Sequence, residues 1–274
     1  MASNNKTECT MPGTCVWGAG RVALVTGGAR RVGRLITLAL HRHHYNVIIH
    51  CCSSKLLALE LAAELNSTEE TYCLLGYSCR QDSAHVITGD LSQNVGETTR
   101  RMVTEAEQKW GRLDLLVNSA ADYFITPLPA ATEHDWDKLM NINAKAPYFL
   151  TQAAAPHLQK VRGNIVNVAD ILAERPTSTL NIYCTTKATL IMITKSLAIE
   201  LGPEVRVNYV SPGAAQWPPT VNDNFKKEWL SRTPLDQAGT GEEVADAVVF
   251  LASPSASYIT GSGINVCGGR SIVH

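Results

Sequence analysis

From Arg21 onward, short runs of aliphatic and β-branched residues alternate with longer segments whose apolar positions recur at helical spacing. The short runs are Val22–Thr26, Val47–His50, His85–Thr88, Leu113–Val117, Asn164–Val168, Arg206–Val210 and Ile264–Val266. Dense apolar runs of this length predict strands buried on both faces. Helical patterns lie between them near Arg31–His44, Lys55–Leu65, Gly96–Trp110, Glu133–Leu158, Asn181–Leu201 and Glu242–Ala252. The alternation predicts one α/β domain: a doubly wound, seven-stranded parallel sheet with helices on both faces.

Two segments break this rhythm. Residues Ser67–Ala84 are polar, contain Gly76 and are long for a helix-to-strand connection, where about 2–6 residues is usual. They are expected to form a surface insertion. Residues Gly213–Pro234 follow the sixth strand and carry Trp217-Pro218-Pro219 with a short helical pattern around Asn224–Ser231. Loops at the carboxyl ends of parallel strands are where ligands are gripped, so 213–234 is a candidate substrate lid. Residues 1–20 fit neither pattern and are expected to be a flexible extension of a catalytic domain spanning 21–274.

Composition narrows the function classes. The 274 residues are 45% hydrophobic, enough for a large core, yet no run approaches the roughly 18 consecutive apolar residues of a membrane span. Lys and Arg total 24 against 25 Asp and Glu. This balance excludes the polycationic surface that nucleic acid or anionic lipid selects. Eight cysteines occur without a C-x-x-C or a matching His pair, which argues against a metal site or redox motif and for free thiols in a reducing compartment. The start lacks a basic stretch followed by an apolar run, and Ser271-Ile272-Val273-His274 is not a peroxisomal address, so a cytoplasmic protein is expected.

The first strand runs into Thr26-Gly27-Gly28-Ala29-Arg30-Arg31-Val32-Gly33 and then a helix, the setting of a Rossmann-type dinucleotide turn. Gly27 permits a tight turn, Gly33 lets the helix pack closely, and the helix N-terminus offers N–H groups to a pyrophosphate. NAD-selective sites carry an acid at the end of the second strand, but here the chain reads His50-Cys51-Cys52-Ser53-Ser54. Ser53 and Ser54 beside Arg30 suit a 2′-phosphate, which makes NADP(H) the expected cofactor. The same serines also suit capping of the helix near Lys55. Asp90-Leu91 and Asn118-Ser119-Ala120-Ala121 follow the third and fourth strands at the same sheet edge, where adenine and nicotinamide ribose would pass. Asp90 equally suits a helix cap. Arg31, Val32 and His50 complete the candidate cofactor set.

Tyr183-Cys184-Thr185-Thr186-Lys187 opens a long helical pattern, and a spacing of four puts tyrosine and lysine on one face. A tyrosine with a pKa of about 10 is a poor acid–base group at neutral pH. A nearby ammonium is expected to lower it by about one to three units, so that Tyr183 can deliver a proton as hydride arrives.

With these residues in view, the chain from about Arg21 to its C-terminus resembles the short-chain dehydrogenase/reductase family. The Gly27/Gly33 turn, Asp90, Asn118, Asn143, Tyr183, Lys187 and Pro212-Gly213 fall in the family's order. The resemblance implies that Tyr183 is the proton donor and that Lys187 binds the nicotinamide ribose. Asn143 would support a water relay to the lysine, Pro212-Gly213 would pass the nicotinamide, and the subunits would form a homotetramer. A narrower resemblance is to the pteridine reductases of protozoan parasites. There an arginine replaces the middle glycine of the turn, as Arg31 does, and an aspartate replaces the usual catalytic serine, as Asp170 does. Asn143-Ala144, Ala146-Pro147-Tyr148-Phe149-Leu150, Thr126-Pro127-Leu128 and Tyr258-Ile259-Thr260-Gly261 are also similar to that group. This likeness implies a pterin or folate substrate touched by Arg31, Asp170 and Tyr183 and stacked on Tyr123; Trp217, from the candidate lid, is expected to close its edge. Ala121, Ser119 and Cys267 depart from that group's serine, asparagine and aspartate.

Asp170 also has a reading of its own. An ionised carboxylate only accepts hydrogen bonds, so it would repel the oxyanion of a reduced ketone and suits a substrate bearing N–H donors or a ring nitrogen to be protonated. Alternatively it faces a helix N-terminus or Arg175 as a structural group. The expected function is therefore an NADPH-dependent pterin reductase. A carbonyl reductase of 3-oxoacyl or sugar substrates and a non-catalytic dinucleotide sensor are the alternatives.

Overall fold

All four residues of the first strand, β1 (Val22–Val25), are fully buried, and they alternate between two cores: Ala23 and Val25 enter one, Val22 and Leu24 the other. Successive strand residues point to opposite faces, so a strand with no polar alternation must be covered twice. The computed structural model, which describes residues 17–67, 80–217 and 221–273, shows both covers. The other strands are β2 (Asn46–Cys51), β3 (Ala84–Thr88), β4 (Leu115–Asn118), β5 (Asn164–Val168), β6 (Arg206–Pro212) and β7 (Gly263–Val266). They form one parallel sheet in the order β3-β2-β1-β4-β5-β6-β7.

The helices are α1 (Arg31–Arg42), α2 (Lys55–Asn66), α3 (Val95–Trp110), α4 (Glu133–Met140), α5 (Ala146–Val161), α6 (Asn181–Leu201), α7 (Asp223–Ser231) and α8 (Gly241–Ala252). Ile36 and Leu40 of α1, Leu61 of α2 and Val248 of α8 fill one core. Met102 of α3, Leu150 of α5 and Leu197 of α6 fill the other. The strand order reverses direction between β1 and β4, which opens a crevice at their carboxyl ends, where ligands bind in such sheets.

The element boundaries expected from the pattern hold to within a few residues, with three instructive differences. The continuous helical pattern Glu133–Leu158 divides into α4, a π turn at Asn141–Lys145, and α5. A π turn widens the helix without breaking it, so the apolar pattern does not reveal it. The N-terminal boundary lies before Arg21. Trp17 packs edge-on against Tyr45 with centroids 5.4 Å apart, and the Gly18 N–H donates to the His43 carbonyl at 3.1 Å. Residues 1–16 of the expected extension lie outside the described residues. Of the expected surface insertion 67–84, residues 68–79 also lie outside them; Gln81 and Asp82 are exposed, but its last two residues, Ser83 and Ala84, are buried. Arg80 donates to the carbonyls of His41 and Tyr45 at 3.0 and 2.7 Å, Ser83 is buried, and Ala84 opens β3.

Candidate active site

The turn after β1 is built for close approach. Gly27 has a φ of +64°, and a Cβ there would come within 3.0 Å of the Ala120 Cα. A Cβ on Gly33 would run into the Gly27 carbonyl. Thr26 Oγ1 accepts the N–H groups of Ser119 and Ala120 at 2.9 and 3.0 Å, which pins the ends of β1 and β4 together. Arg31 sits at φ +50°, a left-handed conformation that favours glycine, and its Nη2 donates to the Gln216 carbonyl at 2.9 Å, tying the turn to the excursion after β6. Arg30 is exposed at the N-cap of α1. Ser53 is exposed beyond β2, and Ser54 occupies the N-cap of α2 without a side-chain capping bond. Its hydroxyl is therefore not consumed by the helix.

Several residues expected to touch the dinucleotide also have structural partners within the protein. His50 is only 2% exposed; its Nδ1 accepts the Gly27 N–H at 3.2 Å and its Nε2–H donates to the Gly89 carbonyl at 3.1 Å. Burial lowers its pKa to about 4, which keeps the ring neutral and able to accept from Gly27. It braces the turn from within the sheet, since strand alternation points it inward. Leu91 is a core residue at 4% exposure. Asp90 is exposed, and its Oδ1 accepts from both the backbone and the hydroxyl of Ser92, at 2.8 and 2.6 Å. It closes a turn before α3 instead of capping the helix, whose N-cap is Asn94. Val32 lies half-buried in the first turn of α1.

Along the carboxyl edge, Asn118 Nδ2 donates to Asn167 Oδ1 at 2.8 Å, and Asn167 Nδ2 donates to Thr194 at 2.8 Å. Asn118 Oδ1 is buried without a partner among the described residues. A buried acceptor left open is costly. Pro212 ends β6, and Gly213 follows so close to β7 that a Cβ on it would lie 2.9 Å from that of Cys267.

At the end of β5 the chain places the acid–base group. The Tyr183 hydroxyl donates to Asp170 Oδ2 at 2.7 Å, and Asp170 Oδ1 accepts the Leu172 N–H at 2.8 Å. Asp170 thus both caps the turn Ile171–Ala173 and holds the tyrosine, combining the structural and chemical readings. Lys187 Nζ donates to the Val168 carbonyl at 2.9 Å and stands 5.8 Å from the Tyr183 ring centre. Asn143, in the π turn, donates to the Thr186 hydroxyl at 3.1 Å and exchanges two bonds with the backbone of Asp122.

The electrostatics correct the expectation for Tyr183. Burial, followed by the Asp170 charge, pushes its pKa well above the usual value instead of lowering it. The Lys187 ammonium is turned to the Val168 carbonyl, and its own pKa falls from 10.5 to about 8 because it is buried. Asp170 is raised by burial, against the bonds from Leu172 and Tyr183 and the charge of Lys187. In this arrangement Tyr183 is held as a protonated donor at neutral pH.

An aromatic wall faces this group. Tyr123 is 48% exposed and meets Tyr183 edge-on with centroids 4.9 Å apart. Trp229 of α7 packs against the small buried cluster formed by Leu172, Leu180, Tyr183 and Cys184. Trp217 meets Phe225 and Trp229 edge-on at 6.2 and 6.1 Å, so it reaches the site through Trp229. Trp229 escaped the sequence reading, because a tryptophan on a short amphipathic helix reads equally as surface or core. Residues 218–220 of the excursion lie outside the described residues. Among the described residues no group of three potential ligands could hold a metal ion, and no helix is long and apolar enough to cross a membrane.

Comparison with known proteins agrees with this layout. A family profile described as enoyl-(acyl carrier protein) reductase matches residues 27–271. Pteridine reductase 1 of Leishmania tarentolae is 34% identical, covering 92% of this chain and 96% of its own. A 3-oxoacyl-[acyl-carrier-protein] reductase of Thermotoga maritima is also 34% identical, covering 91% and 97%. Tropinone reductase-like 3 of Erythroxylum coca is 34% identical over 91% and 93%. With its parallel seven-stranded sheet and these matches over nearly its whole length, the chain belongs to the short-chain dehydrogenase/reductase family of NAD(P)-dependent oxidoreductases.

Proposed function

We propose that this protein is an NADPH-dependent reductase of pterins, acting on biopterin-like or folate-like rings. The observation that carries the reading is the Tyr183–Asp170 hydrogen bond beside the exposed ring of Tyr123. A carboxylate in contact with the proton donor suits a ring nitrogen or an N–H group better than a ketone oxygen. The likeness to pteridine reductase 1 supports the same reading.

The residues present fit a dinucleotide. The Gly27–Ala120 approach leaves a cradle that a Cβ would fill, and the buried Asn118 Oδ1 waits for a donor. Gly27, Arg31 and Val32 would hold the pyrophosphate at the N-terminus of α1, with Arg30, Ser53 and Ser54 on a 2′-phosphate. Asn118, Ser119, Ala120, Pro212, Gly213, Tyr183 and Lys187 would line the nicotinamide half. When bound, the reduced nicotinamide supplies the hydride. Tyr123 stacks the substrate ring, Trp217 and Trp229 exclude water, and Arg31 orients the ring from the turn side. Asp170 accepts a substrate N–H, and Tyr183 delivers its hydroxyl proton to the atom next to the reduced carbon. Lys187 and Asn143 sit behind Tyr183 to restore that proton from solvent.

The segment 213–234 acts as the substrate lid in this reading, and the enzyme is a cytoplasmic homotetramer. Exposed Trp136, Tyr148, Met192 and Ile199 on α4, α5 and α6 supply apolar surface for assembly. A second reading, reduction of a 3-oxoacyl carbonyl, is supported by the equally similar 3-oxoacyl reductase. NADPH oxidation across pH with biopterin, dihydrobiopterin, folate, dihydrofolate, a 3-oxoacyl thioester and simple ketones separates the two. Pterin turnover with kcat/KM for NADPH above that for NADH is the expected result. Turnover of carbonyls alone overturns the pterin reading, and turnover of nothing favours a sensor.

A further inference from the structure

Among the described residues, a cation stands next to the aromatic wall without a carboxylate partner. Gly268 and Gly269 have φ values of +59° and +83°, conformations that glycine adopts freely. A Cβ on Gly269 would come 2.8 Å from Pro234, and the Leu235 N–H donates to the Gly268 carbonyl at 3.1 Å. These contacts press the turn Arg270–Ile272 against the end of the lid segment, and the same turn packs on Ile171–Ala173, which Asp170 begins.

Arg270 projects from this turn with its guanidinium carbon 4.8 Å from the Trp229 ring centre, and Trp229 in turn packs on the buried cluster that contains Tyr183. Its Nη1 donates to the Val273 carbonyl at 3.2 Å, but its buried Nε has no partner among the described residues. Four other arginines among the described residues are paired with carboxylates: Arg34 with Glu64, Arg101 with Glu105, Arg112 with Asp114 and Arg232 with Glu228. Among the described residues no such ion pair involves Arg270. A planar carboxylate is the group that pairs best with a guanidinium that lacks a carboxylate partner.

We propose that Arg270 is an anion subsite at the rim of the substrate site, selecting substrates whose ring carries a carboxylate tail over rings with neutral side chains. The inference rests on the pterin-reductase reading. The ring lies against Tyr123 and Tyr183, and the tail runs along Trp229 to Arg270.

The test compares dihydrofolate, which has an acidic tail, with dihydrobiopterin, which does not, in wild type, R270M and R270K. Losing a charge-assisted pair should raise the KM ratio of dihydrofolate to dihydrobiopterin by about tenfold or more in R270M. R270K should restore most of the ratio. If Arg270 only braces Trp229, both KM values shift together, the ratio stays, and the subsite is refuted. Quenching of tryptophan fluorescence by the same two compounds reads the ratio without turnover. Binding with an altered ratio but no turnover overturns the reductase reading and keeps the subsite. An unchanged binding ratio overturns the subsite alone, and no binding of either compound overturns both.

Discussion

Lys187 is a buried cation, and replacing it by methionine should separate stability from activity in a way that depends on pH. The side chain is 3% exposed, with a pKa lowered from 10.5 to about 8 chiefly by burial. Between those values the unfolded chain binds more protons than the folded one, so the lysine's penalty on folding is full below pH 8 and is relieved as pH rises toward 10.5. Wild type should therefore gain about 2.5 kcal/mol relative to K187M between pH 7 and pH 10. The hydrogen bond to the Val168 carbonyl is lost in the variant, but that cost is the same at every pH and drops out of the comparison. At about 2–4 °C per kcal/mol for a domain of this size, the difference in Tm between the two proteins should move by roughly 5–10 °C over that range. Thermal scans of both proteins from pH 7 to pH 10 measure it. At pH 7 the variant should be at least as stable as wild type while losing most turnover. A Tm difference that does not change with pH would refute the argument, since the lysine would then be as well solvated in the folded protein as in the unfolded chain.

Three further outcomes follow from the site. Tyr183→Phe should lower kcat by about 10²–10⁴-fold with the fold intact, because it removes the transferable proton; near-normal turnover would place the donor elsewhere. Asp170→Ser should lose pterin activity with an altered pH–rate profile, because a titratable group raised by burial has gone, while ketones become no worse as substrates; undiminished pterin turnover across pH would make Asp170 a cap only. Tyr123→Ala should raise the KM of a flat substrate about tenfold or more, as loss of a stacked ring worth roughly 1–3 kcal/mol implies, without altering NADPH affinity; unchanged KM would sink the stacking role.

The alternation of buried strands with amphipathic helices was sufficient to determine the sheet, its two covers and the carboxyl edge, because a strand apolar on both sides has few ways to be buried. The spacing of Tyr183 and Lys187, the glycines of the turn and the missing acid after β2 were equally legible, since each is a local relation along the chain. What only the tertiary structure decided were relations across it. His50 faces inward because neighbouring strands cover it, and so it braces Gly27. Asn143 lies in a π turn that leaves no mark on the apolar pattern. Lys187 turns to Val168, so burial and Asp170 govern the Tyr183 proton, whereas spacing alone predicted that the ammonium would. Trp229 and Arg270 lie 41 residues apart in sequence and meet only because the Gly268-Gly269 turn folds back on the lid segment. Local periodicity carries which face is buried; the identity of each buried group's neighbour, and hence its charge state, arises only when distant segments close on one another.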